Sequence, residues 1–211
     1  MWLAIETAGA ACSVALIARY ALVDERHAVV GRGHAEALLP MIEALLRGRA
    51  TPAAVHVDCG PGSFTGVRVG LAAARALGLA WDVPVHGFSS TALAAAGAFA
   101  RHPAADRLTV ALTGGHGELF VESFARNSLG ETPAPRSLPP AEAAAWTDAA
   151  LIVGSGAAAL VAARGTGEVD GSAPHAGDVR LLGPAGRDLP PQALYGRPPD
   201  AKAALPKPAL S

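Results

Sequence analysis

Cysteine is scarce. The chain holds two, Cys12 and Cys59, with no CxxC pair, which excludes a zinc ribbon and a disulfide-stapled scaffold. Aromatic residues make up only 5% of the 211 positions, and much of the 51% apolar content is alanine, so any core is built from small side chains. Charge of one sign is also missing: 17 basic and 18 acidic residues leave a formal net charge of -1. No basic field covers the whole molecule, which argues against gripping nucleic acid unaided. Apolar runs are broken by Arg, Gly or Asp well before the ~18 residues of a bilayer span. The opening Met1-Trp2-Leu3-Ala4-Ile5-Glu6 has no basic stretch and reads as a strand rather than a signal peptide. The expected compartment is the cytoplasm. The seven histidines, His27, His34, His56, His86, His102, His116 and His175, include no pair at the helix-turn spacing of a metal site. Each is expected to be a lone surface or locally bonded residue, with no metal and no cofactor.

What is present is an alternation of strand and helix patterns, the mark of an α/β fold. Residues 2–6, 12–18 and 21–29 read as a strand meander. Over 34–47 the residues Leu38, Leu39, Ile42, Leu45 and Leu46 form one wide apolar helix face, with Pro40 an awkward interior residue and Gly48 a plausible stop. Met41 lies off the stripe and widens the apolar surface, as an adaptable contact would. Strands are expected at 53–59 and 84–88, and helices at 67–81 and from the Ser89-Ser90-Thr91 caps to about 100. After a break at 101–104 come strands at 108–112, 118–124 and 151–153, a turn at 127–130, a proline-rich surface connection at 133–140, and a helix ending at Arg164. The end from Pro190 is rich in Pro and Gly. No solenoid-like repeat is visible.

The most informative segment is GPGSFTGVRVG, Gly60 to Gly70. Pro61-Gly62 suits a type II turn, Ser63 or Thr65 suits a helix cap, and Gly66 and Gly70 share a helix face that permits close packing. Free N–H groups at the helix start favour an anion, while the simpler reading is a structural strand-to-helix corner. It is not a P-loop, which needs Gly-Lys-Ser/Thr where Thr65-Gly66-Val67 stands. Nor is it a nucleophile elbow, because Pro61 and Thr65 flank Ser63 in place of glycines. Gly154-Ser155-Gly156 is a second strand-to-helix turn, weak as a nucleotide signal. Arg68 sits one turn into a helix, where a cation opposes the dipole. It needs either an intrachain acid such as Glu6 or a partner.

Three segments, LAIETAGAACSVAL, HAEALLPMIEALL and GPGSFTGVRVG, in this order and spacing, together resemble the TsaB family, and ALYGRPPDAK near the end is similar to the close of many of its members. The resemblance covers about the first hundred residues well. It implies a two-lobed α/β fold of the actin, hsp70 and acetate kinase type, mixed sheets flanked by helices. An N-terminal lobe would span 1–102, a smaller lobe 103–188, and the segment 189–211 would return to the first. It implies a non-catalytic subunit that supports TsaD, the threonylcarbamoyltransferase acting on N6 of adenosine 37 in tRNAs reading codons that start with A. The ATPase TsaE and tRNA would be met only through the complex. The implied partner interface carries onto His34, Leu38, Met41, Ile42, Phe64, Val67, Arg68 and Leu71. The structural glycine loop carries onto Gly60, Pro61, Gly62, Ser63, Thr65 and Gly66. Glu6 and Thr7 fall at the first phosphate-binding turn of the fold, where the family usually has Asp-Thr, so the turn reads as vestigial. Asp58 departs from the apolar or Gly-rich lead usual in the family. No catalytic residue is assigned. The alternative is a small-molecule kinase or phosphohydrolase of the same fold using Glu6, Thr7 and the Gly60 loop, and a metallopeptidase would require bound zinc or iron. Alone, the chain would pair with itself through the same apolar face.

Overall fold

The computed structural model describes residues 1–127, 129 and 134–194. Strands β1 (Trp2–Glu6), β2 (Ala11–Ala18) and β3 (Ala21–Val29) form an antiparallel meander, and β1 pairs on its other side, in parallel, with β4 (Ala54–Asp58), which pairs with β5 (Val85–Phe88). The sheet order is β3-β2-β1-β4-β5. The central strands read as near-continuous apolar runs because both faces are covered. Leu3, Ile5, Val14, Leu16, Val55 and Val57 pack on one side with α1 (His34–Leu46) and α2 (Phe64–Trp81). Ala4, Ala15 and Ile17 pack on the other with α3 (Ser90–Arg101).

A second sheet holds β6 (Arg107–Thr113), β7 (Leu119–Ala125), β8 (Arg136–Leu138), β9 (Leu151–Val153) and β10 (Glu168–Asp170) in the order β10-β9-β6-β7-β8. Helices α4 (Pro140–Trp146) and α5 (Ala157–Arg164) accompany it. The two sheets share one connectivity. In each, an antiparallel meander is followed by a helix, a parallel strand, a second helix and another parallel strand. In the sequence the duplication shows in the Gly-x-Gly turn that follows the first parallel strand of each sheet, Gly60-Pro61-Gly62 and Gly154-Ser155-Gly156.

Helix α3 is buried almost all round, which its Ala and Gly side chains allow. It shares a core with Ala4 and Ile17 of the first sheet, Leu108, Val110 and Val153 of the second, and Ala176, Val179 and Leu182 beyond. The layers therefore run helix pair, sheet, α3, sheet, helix pair, and the middle core belongs to both sheets. Gly97 is where α3 meets the 3-10 segment Ala176–Leu181: a Cβ there would stand 2.5 Å from Asp178 Oδ2.

Several local expectations need correction. Helix α2 begins at Phe64 rather than Val67, because Ser63 caps it by accepting from the Gly66 N–H at 3.2 Å. In place of a type II turn with Gly62 in the left-handed region, it is Gly60 that takes positive φ, at 93°, and the Gly60-Pro61 bond is cis. The stretch 133–140, expected as a bare connection, contains β8 and the start of α4; Pro140 stands at the first helical turn, where its missing N–H costs nothing. Pro40 lies on the exposed side of α1, which runs through it. Leu39, placed on the apolar stripe by spacing, is 56% exposed. The expected turn at 127–130 lies partly, and most of the ALYGRPPDAK segment wholly, outside the described residues. Residues 189–194 lie on the first sheet: Gly87 and Leu189 exchange backbone hydrogen bonds, Leu194 N–H donates to the Cys59 carbonyl at 2.7 Å, and Arg75 donates to the Pro191 carbonyl at 2.6 Å. Among the described residues no helix is long and apolar enough to cross a membrane.

Candidate functional site: an exposed helix pair and a closed seam

Helices α1 and α2 lie side by side on the outer face of the first sheet. The sequence-derived contact residues divide into two sets there. Leu38, Ile42, Val67 and Leu71 are at most 5% exposed and belong to the chain's own core. His34 is buried too, its Nε2 3.1 Å from the Ala11 carbonyl. Amphipathic helices bury the stripe that periodicity identifies, so a surface has to be made by what remains. That remainder is Met41, partly buried, with Phe64 and Arg68 exposed. The structure adds two exposed residues, Leu39 on α1, which spacing had placed on the buried stripe, and Leu79 on α2, the latter 87% exposed. Arg68 stacks its guanidinium 3.2 Å above the centroid of the Phe64 ring and reaches the Phe64 carbonyl at 3.4 Å. Its proposed bridge to Glu6 is not formed: Glu6 is buried and its bonded oxygen faces backbone amides.

The second feature is the seam at the C-terminal ends of β1 and β4, where open parallel sheets place ligands. Here α2 closes it. Thr7 donates its hydroxyl to the Gly66 carbonyl at 2.8 Å, and Ser63 N–H donates to the Ala8 carbonyl at 2.8 Å. A Cβ at Gly62 would stand 2.4 Å from Ala8 O, at Gly66 2.0 Å from Thr7 O, and at Gly70 2.4 Å from Thr7 Oγ1. Gly62, Gly66 and Gly70 are thus the points where the loop and α2 touch the β1–β2 turn. The amides of that turn are occupied from within, since Glu6 Oε1 accepts from Ala8 and Gly9 at 2.8 and 3.1 Å. A phosphate does not fit a turn whose amides already hold a carboxylate and whose open side is covered by a helix.

On the inner side the seam is sealed by α3. Asp58, for which spacing offered no role, accepts from Gly60 N–H at 2.7 Å and from the Ser90 hydroxyl at 2.6 Å. It thereby ties the glycine loop to the α3 N-terminus. The Ser89 and Thr91 hydroxyls lie 2.6 Å apart, and Thr91 donates to Glu122 of β7 at 2.5 Å. This buried polar line crosses from the first sheet to the second. Ser89 fills the cap expected of it, accepting from Ala92 N–H; the bonds of Ser90 and Thr91 to Asp58 and Glu122 carry no sequence motif, because those partners lie far away along the chain. Burial pushes the Glu122 carboxyl up from its usual range.

The histidines are less isolated than their spacing predicts. His27 stacks on His175 with centroids 4.1 Å apart, and His56 on His86 at 5.1 Å. His102 bonds Asp170 and His175 bonds Glu25, at 3.1 and 3.0 Å. Among the described residues no three His, Cys, Asp or Glu side chains group as a metal site would. Gly154-Ser155-Gly156 is the second sheet's counterpart of the Gly60 loop. Gly154 has φ of 104°, Ser155 Oγ accepts from Thr113 N–H at 3.0 Å, and a Cβ on Gly154 would stand 2.8 Å from Ala111 O.

Two sheets of like connectivity, each flanked by helices and packed face to face through a shared middle layer, define the two-lobed actin-like class. Within it, residues 27–133 match the family model described as TsaD: tRNA N6-adenosine threonylcarbamoyltransferase. The chain is 36% identical over 132 residues to the tRNA threonylcarbamoyladenosine biosynthesis protein TsaB of Escherichia coli, covering 61% of this chain and 56% of that one. It is 34% identical over 133 residues to the TsaB of Haemophilus influenzae, covering 60% and 55%. The matches span about half the length of these curated relatives. The solved structure of YeaZ from Pseudomonas aeruginosa superposes with a TM-score of 0.73 at 30% identity, covering 85% of this chain and 89% of that one. The chain belongs to the TsaB family.

Proposed function

We propose that the chain is the scaffolding and activating subunit of the complex that places a threonylcarbamoyl group on N6 of adenosine 37 in tRNAs reading codons that start with A. In this reading it makes and breaks no bond. It holds a TsaD-type catalytic subunit in a competent arrangement and completes a surface met by a TsaE-type ATPase, and tRNA is engaged only through the assembly, in the cytoplasm. The carrying observation is that Leu39 on α1 and Phe64 and Leu79 on α2 stand exposed on neighbouring helices, with Met41 of α1 partly buried. Large exposed apolar residues grouped on neighbouring helices mark protein contacts. Without the catalytic subunit, the same helix pair joins two copies of the chain. The lobes divide at about 102–103, with 189–194 belonging to the first; the remainder of the 189–211 segment lies outside the described residues.

The kinase or phosphohydrolase alternative loses support at the seam, where Glu6 fills the turn and α2 covers it. The test is direct binding to the catalytic subunit by sedimentation or titration calorimetry. Leu39→Asp with Phe64→Asp should weaken binding at least tenfold while leaving the urea midpoint of the isolated chain nearly unchanged, since both side chains are exposed. Charged replacements at Leu38 or Val67 cannot serve, because they strike the core. Undiminished binding by the double variant would move the interface elsewhere.

A further inference from the structure

Glu6 and Asp58 end neighbouring parallel strands, one residue past the Ile5–Val57 register pair. They are 1% and 0% exposed. One oxygen of each is committed, Glu6 Oε1 to the Ala8 and Gly9 amides and Asp58 Oδ1 to Gly60 and Ser90. The other two, Glu6 Oε2 and Asp58 Oδ2, are buried with no hydrogen-bond partner. Among the described residues no basic side chain pairs with either acid.

Two bare carboxylates side by side in an apolar interior are strongly disfavoured, and such pairs resolve the conflict by keeping a proton. A divalent cation would need about six oxygen ligands, and only two uncommitted side-chain oxygens are offered. One proton satisfies both oxygens at once. We infer that Glu6 and Asp58 form a proton-linked clasp, one hydrogen held between Glu6 Oε2 and Asp58 Oδ2, which ties β1 to β4 beneath the Gly60 loop and keeps α2 seated on the Thr7–Ala8 turn.

The surroundings support the clasp from every side. Burial and the neighbouring Asp58 charge push Glu6 up to about 8, and burial pushes Asp58 up to about 7. On β2 the Cys12 thiol, pushed up to about 11 by burial and by Glu6, stays neutral. So does Cys59, pushed up to about 12 by burial and by Asp58. Helix α1 contributes His34, turned to the Ala11 carbonyl, and α2 contributes Arg75, bonded to Pro191. From α3 come the Ser90 and Thr91 hydroxyls, with Glu122 of β7 beyond. Ser13 of β2 bonds Glu25 and Ala176, and Glu25 bonds His175, which stacks on His27.

Both folded values are raised, so the folded chain holds the extra proton. The clasp's contribution to stability is full below about pH 4, erodes as pH rises, and is lost once pH passes the folded values, while the proton itself stays in place until those values are reached. Above about pH 6.5 the histidines no longer oppose this trend, and one retained proton raises the unfolding equilibrium constant about tenfold per pH unit until about pH 8. This inference concerns the isolated chain and stands whether or not the partner reading does. The experiment is urea unfolding of the full chain across this range, with chelator and again with added magnesium, for wild type and Asp58→Asn. The amide keeps the acceptor for Gly60 and Ser90 and offers an N–H to Glu6, so the tenfold-per-unit trend should vanish in the variant and be unaffected by magnesium in the wild type. An equal trend in both proteins overturns the clasp, and so does a wild-type trend abolished by magnesium, which would make the pair a cation site. If the variant does not fold, wild-type infrared spectra decide. A protonated carboxyl band present at neutral pH and lost above about pH 9 supports the clasp, and its absence at neutral pH overturns it.

Discussion

Replacing Gly66 with alanine sets two physical effects of opposite sign against each other. Gly66 lies in the first turn of α2. Glycine is a poor helix former, so Gly66→Ala judged by propensity alone should stabilise the chain by up to about 1 kcal/mol. The added Cβ, however, would stand 2.0 Å from the Thr7 carbonyl oxygen. That atom is backbone in a buried turn, held there by β1, so relief requires α2 to lift away. Lifting would stretch the Thr7 hydroxyl bond to Gly66 O and the Ser63 amide bond to Ala8 O. Overpacking of a close contact costs about 1–3 kcal/mol, and weakening the two buried hydrogen bonds adds to it. The net expectation is a loss of about 2 kcal/mol, or about 4–8 °C in Tm for a chain of this size. Urea and thermal unfolding would measure it, with Ala76→Gly at an exposed position of the same helix reporting the propensity effect alone. If Gly66→Ala left the stability unchanged or raised it, α2 would not be seated on the turn and the closed seam would be wrong.

Other expectations follow from burial and charge. Leu38→Ala should cost about 2–5 kcal/mol as a core cavity, while Phe64→Ala should cost about 0.5 kcal/mol or less in the isolated chain; similar costs at the two sites would contradict the division into core and surface. Asp170 is buried, which alone would raise its pKa, but hydrogen bonds from Ser172 and Arg101 outweigh this and hold its carboxyl well below the usual range. Its contribution is therefore present above about pH 4 and lost as pH falls below that, so Asp170→Asn should flatten the acid limb of urea midpoints, and an unchanged limb would count against the Arg101 pairing. Burial lowers His56 to about 4, so stability linked to it is full above about pH 6.5 and is lost as pH falls toward 4; an NMR titration of His56 near 6.5 would show that the ring is not enclosed by Trp2, His86 and the Arg187 carbonyl.

Much of the fold was legible because its signals are local. Strands β1, β2 and β9 follow apolar runs, the α1 stripe follows the helical period, and the α2 corner follows its glycines and Ser63. What was hidden depends on distance along the chain. The sheet duplication is announced only faintly, by the matching Gly-x-Gly turns at Gly60 and Gly154. The shared middle layer cannot be seen in an alanine-rich helix whose residues suit either one face or two. Asp58 acquired its role only when Ser90 came within reach, and Glu122 only through Thr91. The apolar contact residues show the same limit from the other side. Periodicity picks the face a helix buries, which is why Leu38, Ile42, Val67 and Leu71 turned inward. Leu39 was counted into that stripe and turned outward, and the exposed Leu79 follows no pattern that would have revealed it.

The central claim is that this chain supports a partner's chemistry and performs none itself. The most direct measurement is an omission assay with TsaD-type and TsaE-type proteins, tRNA, ATP and threonylcarbamoyl-adenylate, counting modified adenosine with the chain, without it, and with the Leu39→Asp, Phe64→Asp variant. The account predicts product with the wild-type chain alone among the three. Equal product without the chain, or full product with the variant, would contradict it.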